Sequence, residues 1–466
     1  MSSTSATLTF HGGAGTVTGS KYLLTVGDRR LLLDCGLFQG LKPLRERNWQ
    51  PPAFDPRQIT AVVLSHAHLD HCGYLPLLVR HGFRGQIYCT AATEDLVRIV
   101  LLDSAHLQEE EAQLANREGF SRHTPALPLY TTDDVYAALR LVVARPYDQP
   151  FGIGQEFRVT LRRAGHILGS ATIEVSFGQG PTRLVFSGDL GRPSQPILRD
   201  PEAVPEADVL LLESTYGDRV HPPNAADGLA RVIHEAVGRG GALIVPAFAI
   251  GRTQHLLWLL RELEDQGRIP SLPVFIDSPM ARQVDTLYEQ HHEEHDAGTR
   301  ELLKQHRDPL ATDRLKIVAT PQESAALNRM TGPMIIISAS GMATGGRVLN
   351  HLQARLPDPH TTVLLVGFQA MGTRGRALQE GATEVKIHGE QVPVQARIES
   401  LDGLSAHADR DEILAWLGGL RRPPRRTFLV HGEPKPAQAL ADAIRQRLGW
   451  TVDVAQDAQT VRLDEL

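Results

Sequence analysis

The segment Ser-His-Ala-His-Leu-Asp-His at positions 65–71 places four side chains that can bind metal within six residues. Burying so many polar groups without partners would be costly, and a metal ion accounts for them more simply. In an extended loop, His66 and His68 point to the same side and can bind one ion. Asp70 and His71 are then left to turn toward a second ion. The segment therefore predicts a metal centre.

Four further side chains with ligand chemistry follow predicted strands. Asp34 follows the apolar run 31–33, and His166, Asp189 and His431 come directly after or shortly after other such runs. A rigid sheet can hold side chains at strand ends in fixed positions. A single histidine at such a position is more often structural, but beside segment 65–71 we expect these residues to complete the metal centre.

Short apolar runs without alternation are the elements that must position these residues. Such runs are typical of strands buried on both faces of a sheet. They occur at 31–33, 61–64, 184–186, 209–212, 243–245, 334–337, 363–366 and 428–430.

Helical patterns lie between many of these runs. The longest is predicted to begin at Thr93, another covers 252–266, and Asp409 with Glu412 forms a capping pattern for a third. Alternation of strands and helices predicts an α/β protein with helices on the outer faces of buried sheets.

Composition excludes several classes of protein. The chain has 466 residues, 42% of them hydrophobic and 22% charged, which is typical of two or three soluble domains. No apolar stretch approaches the roughly 18 residues of a membrane span, and no secretory signal is seen, so we expect a cytoplasmic protein that does not bind membranes. Three cysteines without a CxxC pair do not support a disulfide framework. The net charge of −6 argues against wholesale wrapping of nucleic acid, although a local basic groove remains open.

Taken in order, these residues resemble the motifs of a known fold. Asp34, the segment 66–71, His166 and Asp189 are similar to motifs one to four of the metallo-β-lactamase fold. Glu213, His407 and His431 resemble motifs A, B and C of its β-CASP branch, which includes RNA-processing nucleases such as the endonuclease subunit of the cleavage and polyadenylation specificity factor. The resemblance covers nearly the whole chain.

The resemblance implies an αββα metallo-β-lactamase sandwich with an inserted α/β β-CASP domain. The sandwich would comprise residues 1–205 and be completed by residues 385–466, with the β-CASP domain at 206–384.

The resemblance also implies two zinc ions. His66, His68 and His166 would hold one, Asp70, His71 and His431 would hold the other, and Asp189 would bridge them. Asp34 would orient a ligand. A hydroxide between the ions would attack a phosphodiester, with Asp70, Glu213 and His407 as catalytic residues and Glu213 with His407 near the leaving oxygen.

The glycine-rich segment 338–347 leaves a predicted buried strand and could cradle a phosphate. Isolated stretches of this kind are usually ordinary turns, but within the resemblance we expect phosphate or RNA contact. The candidates are Ser338, Ser340, Gly341, Thr344, Arg347, Arg374 and Arg376.

Three functions compete at this point. A zinc ribonuclease is favoured because His431 resembles the residue that the RNA-cleaving members of the branch carry, and its expected partner is single-stranded RNA. A hydrolase of a small ester, lactone or thioester would not explain the inserted block. A non-catalytic RNA-binding scaffold would be expected to lack ligands, and none is missing. Cleavage inside a strand or from its end, and a homodimer, are left open.

Overall fold

The computed structural model describes residues 5–119, 121, 123–178 and 182–464. The chain forms two compact units, and the first comprises residues 1–194, 200–220 and 407–466. The second comprises 195–199 and 221–406. Among the described residues, no helix combines the length and the apolar character needed to cross a membrane.

Two seven-stranded sheets make up the first unit. In the first sheet the order is β22-β1-β2-β3-β4-β5-β6. Its strands are β1 (Ala6–Phe10), β2 (Tyr22–Val26), β3 (Arg29–Leu33), β4 (Ala61–Val63), β5 (Gln86–Cys89), β6 (Val142–Ala144) and β22 (Thr460–Arg462). Strands β3 to β6 are parallel, which explains the unbroken apolar runs at 31–33 and 61–63.

In the second sheet the order is β21-β20-β11-β10-β9-β8-β7. Its strands are β7 (Phe151–Ile153), β8 (Phe157–Arg163), β9 (Ala171–Phe177), β10 (Thr182–Phe186), β11 (Val209–Glu213), β20 (Arg426–Val430) and β21 (Val452–Val454). Side chains of both sheets share one core, which includes Leu31 and Phe10 from the first sheet and Phe186 and Phe428 from the second. The sheets therefore pack face to face.

Helices flank these sheets. They are α1 (Lys42–Arg47), α2 (Leu69–Cys72), α3 (Leu75–Arg80), α4 (Ala91–Glu118), α5 (Thr132–Leu139), α13 (Arg410–Leu417) and α14 (Pro434–Leu448). Apolar residues of α13 and α14 pack on the outer face of the second sheet, with Ile413 and Leu440 against Leu210 and Leu429. The predicted αββα sandwich is confirmed.

The second unit is built on a parallel six-stranded sheet of order β14-β13-β15-β12-β16-β19. Its strands are β12 (Ala242–Pro246), β13 (Val274–Asp277), β14 (Leu315–Ile317), β15 (Met334–Ser338), β16 (Thr362–Val366) and β19 (Arg397–Leu401), and β17 (Glu384–Ile387) with β18 (Glu390–Pro393) forms a hairpin. Its helices are α6 (Ala225–Gly238), α7 (Arg252–Asp265), α8 (Pro279–Gln290), α9 (Ala297–Lys304), α10 (Pro321–Leu327), α11 (Val348–Arg355) and α12 (Arg374–Gln379).

The units divide the chain later than the predicted domain boundaries at 205/206 and 384/385. Strand β11 lies between β10 and β20 in the second sheet of the sandwich, so the first unit continues to residue 220. Strand β19 pairs with β16, so the second unit continues to residue 406. An apolar run in the sequence does not say which sheet it joins.

Candidate metal centre

The predicted ligands lie at the ends of strands that run in the same direction. Asp34 follows β3, the segment 65–71 follows β4, and Asp189 and His431 follow β10 and β20. Because the carboxyl ends of parallel strands meet at one edge of a sheet, side chains at these positions converge. His166 follows β8. Strands β8 and β10 are both antiparallel to β9, which lies between them, so β8 and β10 run in the same direction and end at the same edge of the sheet.

Four of the predicted ligands form a first group. His66 Nε2 lies 3.0 Å from His68 Nδ1, and His166 Nε2 lies 3.4 Å from the same atom. Asp189 Oδ2 lies 3.5 Å from His66 Nε2 and 3.6 Å from His166 Nε2. The four donor atoms lie within 4.8 Å of one another.

A second group lies beside the first. His71 Nε2 is 3.2 Å from His431 Nε2, which is 3.4 Å from Asp70 Oδ2. The other carboxylate oxygen of Asp189, Oδ1, lies 3.3 Å from His71 Nε2 and 3.2 Å from His431 Nδ1. Asp189 therefore presents one oxygen to each group.

These distances fit a metal ion. Four donors placed tetrahedrally around zinc at about 2.0–2.1 Å lie roughly 3.3 Å from one another, close to the spacing of the donors in both groups. Asp189 Oδ1 is buried and, among the residues that the structure describes, accepts no hydrogen bond. An oxygen of this kind needs a cation or a proton donor, because its desolvation is otherwise uncompensated.

Electrostatics favours a cation at this point. Burial lowers the pKa of His66 well below its ordinary value and that of His68 to about 3, so both rings are neutral and keep a lone pair. Burial also lowers the pKa of His71, but the carboxylates of Asp189, Asp70 and Asp34 outweigh it and raise the pKa to about 10. Three carboxylates therefore stabilise positive charge where His71 Nε2 lies.

Asp34 does not face the ligand cluster but fixes the orientation of His71. It is fully buried, its Oδ2 lies 2.7 Å from His71 Nδ1, and it accepts hydrogen bonds of 2.7 Å from the amide and the hydroxyl of Ser65. A carboxylate that holds Nδ1 directs Nε2 of the same ring to the metal.

The buried Glu213 and the partly buried His407 form a pair next to the first group. His407 Nδ1 lies 3.0 Å and 3.2 Å from the two carboxylate oxygens of Glu213, and 3.9 Å from Asp189 Oδ2. Although burial lowers the pKa of His407, the carboxylates of Glu213 and Asp189 hold it above its ordinary value. Glu213 also accepts a 2.7 Å hydrogen bond from the Leu190 amide, which fixes the carboxylate. The neighbouring carboxylates therefore favour the protonated form of the ring, and a rigid partner holds it.

Sequence reasoning missed three residues that support the centre. The Ser65 hydroxyl links Asp34 to His66, with its Oγ 3.0 Å from His66 Nδ1. Thr215 Oγ1 lies 3.2 Å from His431 Nδ1, and the carbonyl of Gly13 accepts a 2.6 Å hydrogen bond from the His431 amide. Ser65 adjoins the histidine cluster and Thr215 follows Glu213 by two residues, but nothing in the sequence pairs Gly13 with His431.

The backbone is strained at two residues of the candidate metal centre. Asp34 and His431 have φ of 57° and 46°, in the left-handed region that residues other than glycine seldom adopt. Such a conformation costs on the order of 1 kcal/mol or more and persists where the surroundings enforce it. At these two positions the backbone conformation directs His431, a predicted ligand, and Asp34, which orients the predicted ligand His71, toward the candidate metal centre.

The predicted phosphate contacts all belong to the second unit. Ser338 is buried at the end of β15, and its hydroxyl donates to the Asp277 carbonyl. Ser340 Oγ lies 3.0 Å from Thr344 Oγ1 and accepts from the Thr344 amide at 3.3 Å. Gly341 is buried, and a Cβ added there would lie 2.6 Å from the ring of Phe248, so a larger residue would collide with it. The loop after β15 is therefore closed by its own hydroxyls.

Arg347 is already engaged inside this unit. Its Nη1 donates to Asp277 Oδ1 at 2.8 Å, and Nη2 donates to the Ala319 carbonyl at 3.1 Å. Asp277 is fully buried and also lies 2.7 Å from His351 Nε2. Arg347 braces the ends of neighbouring strands, which the sequence did not predict.

Arg374 and Arg376 behave in a similar way. Arg374 Nη1 lies 3.3 Å from the carbonyls of Ala343 and Thr344, so it ties helix α12 to the loop after β15. Arg376 Nε donates to Glu380 at 2.6 Å. The three predicted arginines thus make hydrogen bonds inside the second unit, either to the loop after β15 or to neighbouring side chains and carbonyls.

Comparisons with known proteins agree with this fold and site. Residues 14–238 match the metallo-beta-lactamase superfamily, residues 253–378 match the Beta-Casp domain, and residues 391–455 match the Zn-dependent metallo-hydrolase RNA specificity domain. His407 and His431 fall within the last match.

Several whole proteins are similar to this chain. Ribonuclease TTHA0252 of Thermus thermophilus is 38% identical over 97% of this chain and 98% of its own length. Transcription termination factor FttA of Methanocaldococcus jannaschii is 30% identical over 98% of this chain and 71% of its own length. A crystal structure of a protein of unknown function from Enterococcus faecalis V583 has the same fold, with a TM-score of 0.53, 14% identity, and coverage of 98% of this chain and 100% of that one.

The fold and the converging ligands define a metal-dependent hydrolase of the metallo-β-lactamase type. Within it, the chain belongs to the β-CASP family, as the domain matches and the full-length relatives show. The family predicted from the sequence motifs is confirmed.

Proposed function

We propose that this protein is a zinc-dependent ribonuclease that hydrolyses phosphodiester bonds of single-stranded RNA. The observation that carries the proposal is the convergence of seven donor side chains into two groups that share Asp189. The RNA specificity domain match and the ribonuclease relative support RNA as the substrate. The presence of every predicted ligand speaks against a non-catalytic scaffold.

Two zinc ions are proposed as the cofactor. His66, His68 and His166 would hold one, Asp70, His71 and His431 the other, and Asp189 would contribute an oxygen to each. When bound, such a pair of ions supplies a hydroxide nucleophile near neutral pH and neutralises phosphate charge.

His407 is proposed as the general acid. Glu213 holds its Nδ1, so the opposite nitrogen, Nε2, is the one that can give a proton to the leaving oxygen of the ribose. Glu213 favours the charged form of the ring and orients it. A departing alkoxide is a strong base, and a positioned acid contributes about 10² to 10⁴ in rate.

The loop after β15 is proposed to contact the RNA backbone. Ser340 and Thr344 carry hydroxyls on a loop that exposes Thr344, and Gly341 allows its backbone to pass close to Phe248. Arg347 and Arg374 would act by bracing this loop and by their positive charge.

Matched substrates test the proposal. Purified protein should hydrolyse single-stranded RNA faster than DNA of the same sequence, and faster than a lactam or a thioester. End-labelled RNA of both polarities would separate internal cleavage from trimming. Faster turnover of the lactam or thioester would make the protein a small-molecule hydrolase, and RNA binding without cleavage by zinc-loaded protein would make it a scaffold.

Metal analysis tests the cofactor separately. We expect two equivalents of zinc per chain, and one equivalent in Asp70→Ala with loss of cleavage. Asp55→Asn is the matched control, because among the described residues the Asp55 carboxylate accepts hydrogen bonds from Arg57 alone, far along the sequence from the proposed ligands. One equivalent in wild type after zinc is restored would contradict the binuclear centre.

The cytoplasm is the proposed compartment, which the three unpaired, buried cysteines support. The homodimer stays a prediction, for which sedimentation analysis is the test.

A further inference from the structure

The segment 41–50 of the first unit carries an exposed tryptophan among cations. The side chain of Trp49 is 58% exposed and that of Leu41 is 38% exposed. Trp416 and Trp450 are buried and Trp258 is half-buried, so Trp49 is the exposed member of the four tryptophans in the chain. A single exposed apolar side chain is ordinary, and the surroundings of Trp49 decide whether it has a role.

Those surroundings are basic. Lys42, Arg45 and Arg47 lie in these ten residues with one carboxylate, Glu46, whereas the whole chain has a net charge of −6. Arg47 pairs with Asp457 at 3.0 Å, so the positive charge of the segment rests on Lys42 and Arg45. Lys42 lies 3.5 Å from Glu46 in an exposed pair, and such a pair is screened and weak. Arg45 is exposed beside them. The segment therefore presents positive charge to solvent on an otherwise acidic protein.

The segment is held firmly near its C-terminal end. The Asn48 side chain is buried and pairs with both backbone groups of Phe38, donating to its carbonyl at 2.8 Å and accepting from its amide at 2.9 Å. The guanidinium of Arg47 lies 4.2 Å from the centroid of the Phe38 ring. Lys21 Nζ lies 4.6 Å from the same centroid. The exposed ring of Trp49 thus stands on an ordered base and needs little ordering to bind.

The residues just before this segment contact the candidate metal centre. The Leu37 amide donates to the Leu69 carbonyl at 2.8 Å, at the start of the helix that carries Asp70 and His71. Gly36 approaches so closely that an added Cβ would lie 1.6 Å from the carbonyl oxygen of Asp70. Segment 41–50 follows these contacts along the chain, within the same unit.

We propose that segment 41–50 is an RNA-binding platform of the first unit, on which an unpaired base stacks against Trp49 while Arg45 and Lys42 meet the flanking phosphates. This inference rests on the proposed ribonuclease function and adds a contact outside the RNA specificity and β-CASP regions. Aromatic side chains between cations suit single strands, because every base offers a face for stacking. A protein partner would favour an apolar surface with less charge at its centre.

Steady-state cleavage of a single-stranded oligoribonucleotide tests the platform. Trp49→Ala should raise KM about 5- to 150-fold with kcat little changed, and Trp49→Phe, which keeps an aromatic face, should lie between. Arg45→Gln should lower the slope of log affinity against log salt by about 0.7. Leu127→Ala, which removes another exposed apolar side chain of this unit, is the matched control and should leave KM unchanged.

Tryptophan fluorescence gives a readout independent of cleavage. Oligothymidylate should quench the emission of wild type but much less that of Trp49→Phe, whereas inorganic polyphosphate, which has charge but no bases, should not quench. Cleavage by wild type with unchanged KM in Trp49→Ala, or equal quenching by polyphosphate, would overturn the platform and leave the ribonuclease function standing. Wild type that neither cleaves RNA nor is quenched by oligonucleotide would overturn the ribonuclease function and the platform together.

Discussion

Replacing Asp34 by asparagine tests how one buried carboxylate controls a metal ligand without touching the metal. In wild type, Oδ1 of Asp34 accepts from the Ser65 amide, while Oδ2 faces both the Ser65 hydroxyl and His71 Nδ1, and all three distances are 2.7 Å. All hydrogen-bonding roles of the carboxylate are those of an acceptor, because a carboxylate has no proton to give.

Asparagine has one acceptor and one donor in place of two acceptors, so both of its orientations fail. If its oxygen keeps the Ser65 amide, its NH₂ group faces His71 Nδ1, and the ring proton must move to Nε2, where it blocks a metal. If the amide turns over, the NH₂ group faces the Ser65 N–H and leaves a buried donor unsatisfied. Either outcome costs about 1–3 kcal/mol, and we expect a loss of about 10- to 100-fold in zinc affinity or activity.

Zinc affinity measured by competition with a chelator, together with the rate at saturating zinc, is the assay. Asp55→Asn makes the same chemical change on the surface and should alter neither quantity. Melting of both proteins in excess chelator separates a loss of folding from a loss of metal. An affinity and a rate of Asp34→Asn within twofold of wild type would refute the reasoning that the hydrogen bond of Asp34 sets the proton on His71.

Three further predictions concern other buried groups. His407→Ala should keep its zinc and its RNA binding while cleavage falls about 10²- to 10⁴-fold, with a smaller loss for Glu213→Gln, and loss of zinc from the alanine variant would make His407 a ligand. Burial raises the pKa of Asp285 from its ordinary 3.8 to about 6. The contribution of this carboxyl to folding stability is therefore fully present below pH 3.8 and is lost as the pH rises through 6. Asp285→Asn should gain up to about 3 kcal/mol at pH 7 and nothing near pH 3, as measured by denaturation at both pH values. Arg347→Ala leaves the buried Asp277 without its cation and should lower the unfolding free energy by about 1–3 kcal/mol, whereas an unchanged melting temperature with weaker RNA binding would show a direct phosphate contact instead.

Much of the fold could be predicted because buried parallel strands leave a plain pattern. The runs 31–33, 243–245 and 363–366 each lie inside an observed strand. The capping pattern at Asp409 is also confirmed, since its carboxylate accepts from the amides of residues 411 and 412. Strand β1 alternates buried and half-buried positions and forms no such run, so it was missed.

Helix α4 shows where local signals mislead. The sequence predicts a start at Thr93, but the helix begins at Ala91, with Thr90 as its cap. The Thr90 hydroxyl accepts from the Thr93 amide and also donates to the Gly169 carbonyl, 79 residues away. Both threonines carry the side chain of a cap, and a contact with a distant loop, which no local pattern contains, helps to hold Thr90 in that role.

In the candidate site, too, local patterns could be predicted and long-range contacts could not. The predicted ligands meet because each follows a strand, and strand ends are visible in the sequence. The engagement of Arg347 by Asp277 was not predicted, because the partners are 70 residues apart and both types are common on surfaces. Sequence spacing identifies which side chains could do chemistry, but not which of them are already occupied.

The spread of the ligands along the chain also has a consequence during synthesis. His71 and His431 lie 3.2 Å apart in the folded protein but are separated by 360 residues of chain, and His407 too lies beyond the inserted unit. At roughly 5–20 residues per second, a ribosome takes roughly 18 to 72 s to travel that interval. During this time the nascent chain carries at least four of the seven proposed metal ligands but lacks His431, and for most of it the chain also lacks His407, the proposed general acid. A nuclease that requires His407 and His431, as proposed, stays inactive beside the messenger RNA and ribosomal RNA that surround it until the ribosome has passed residue 431.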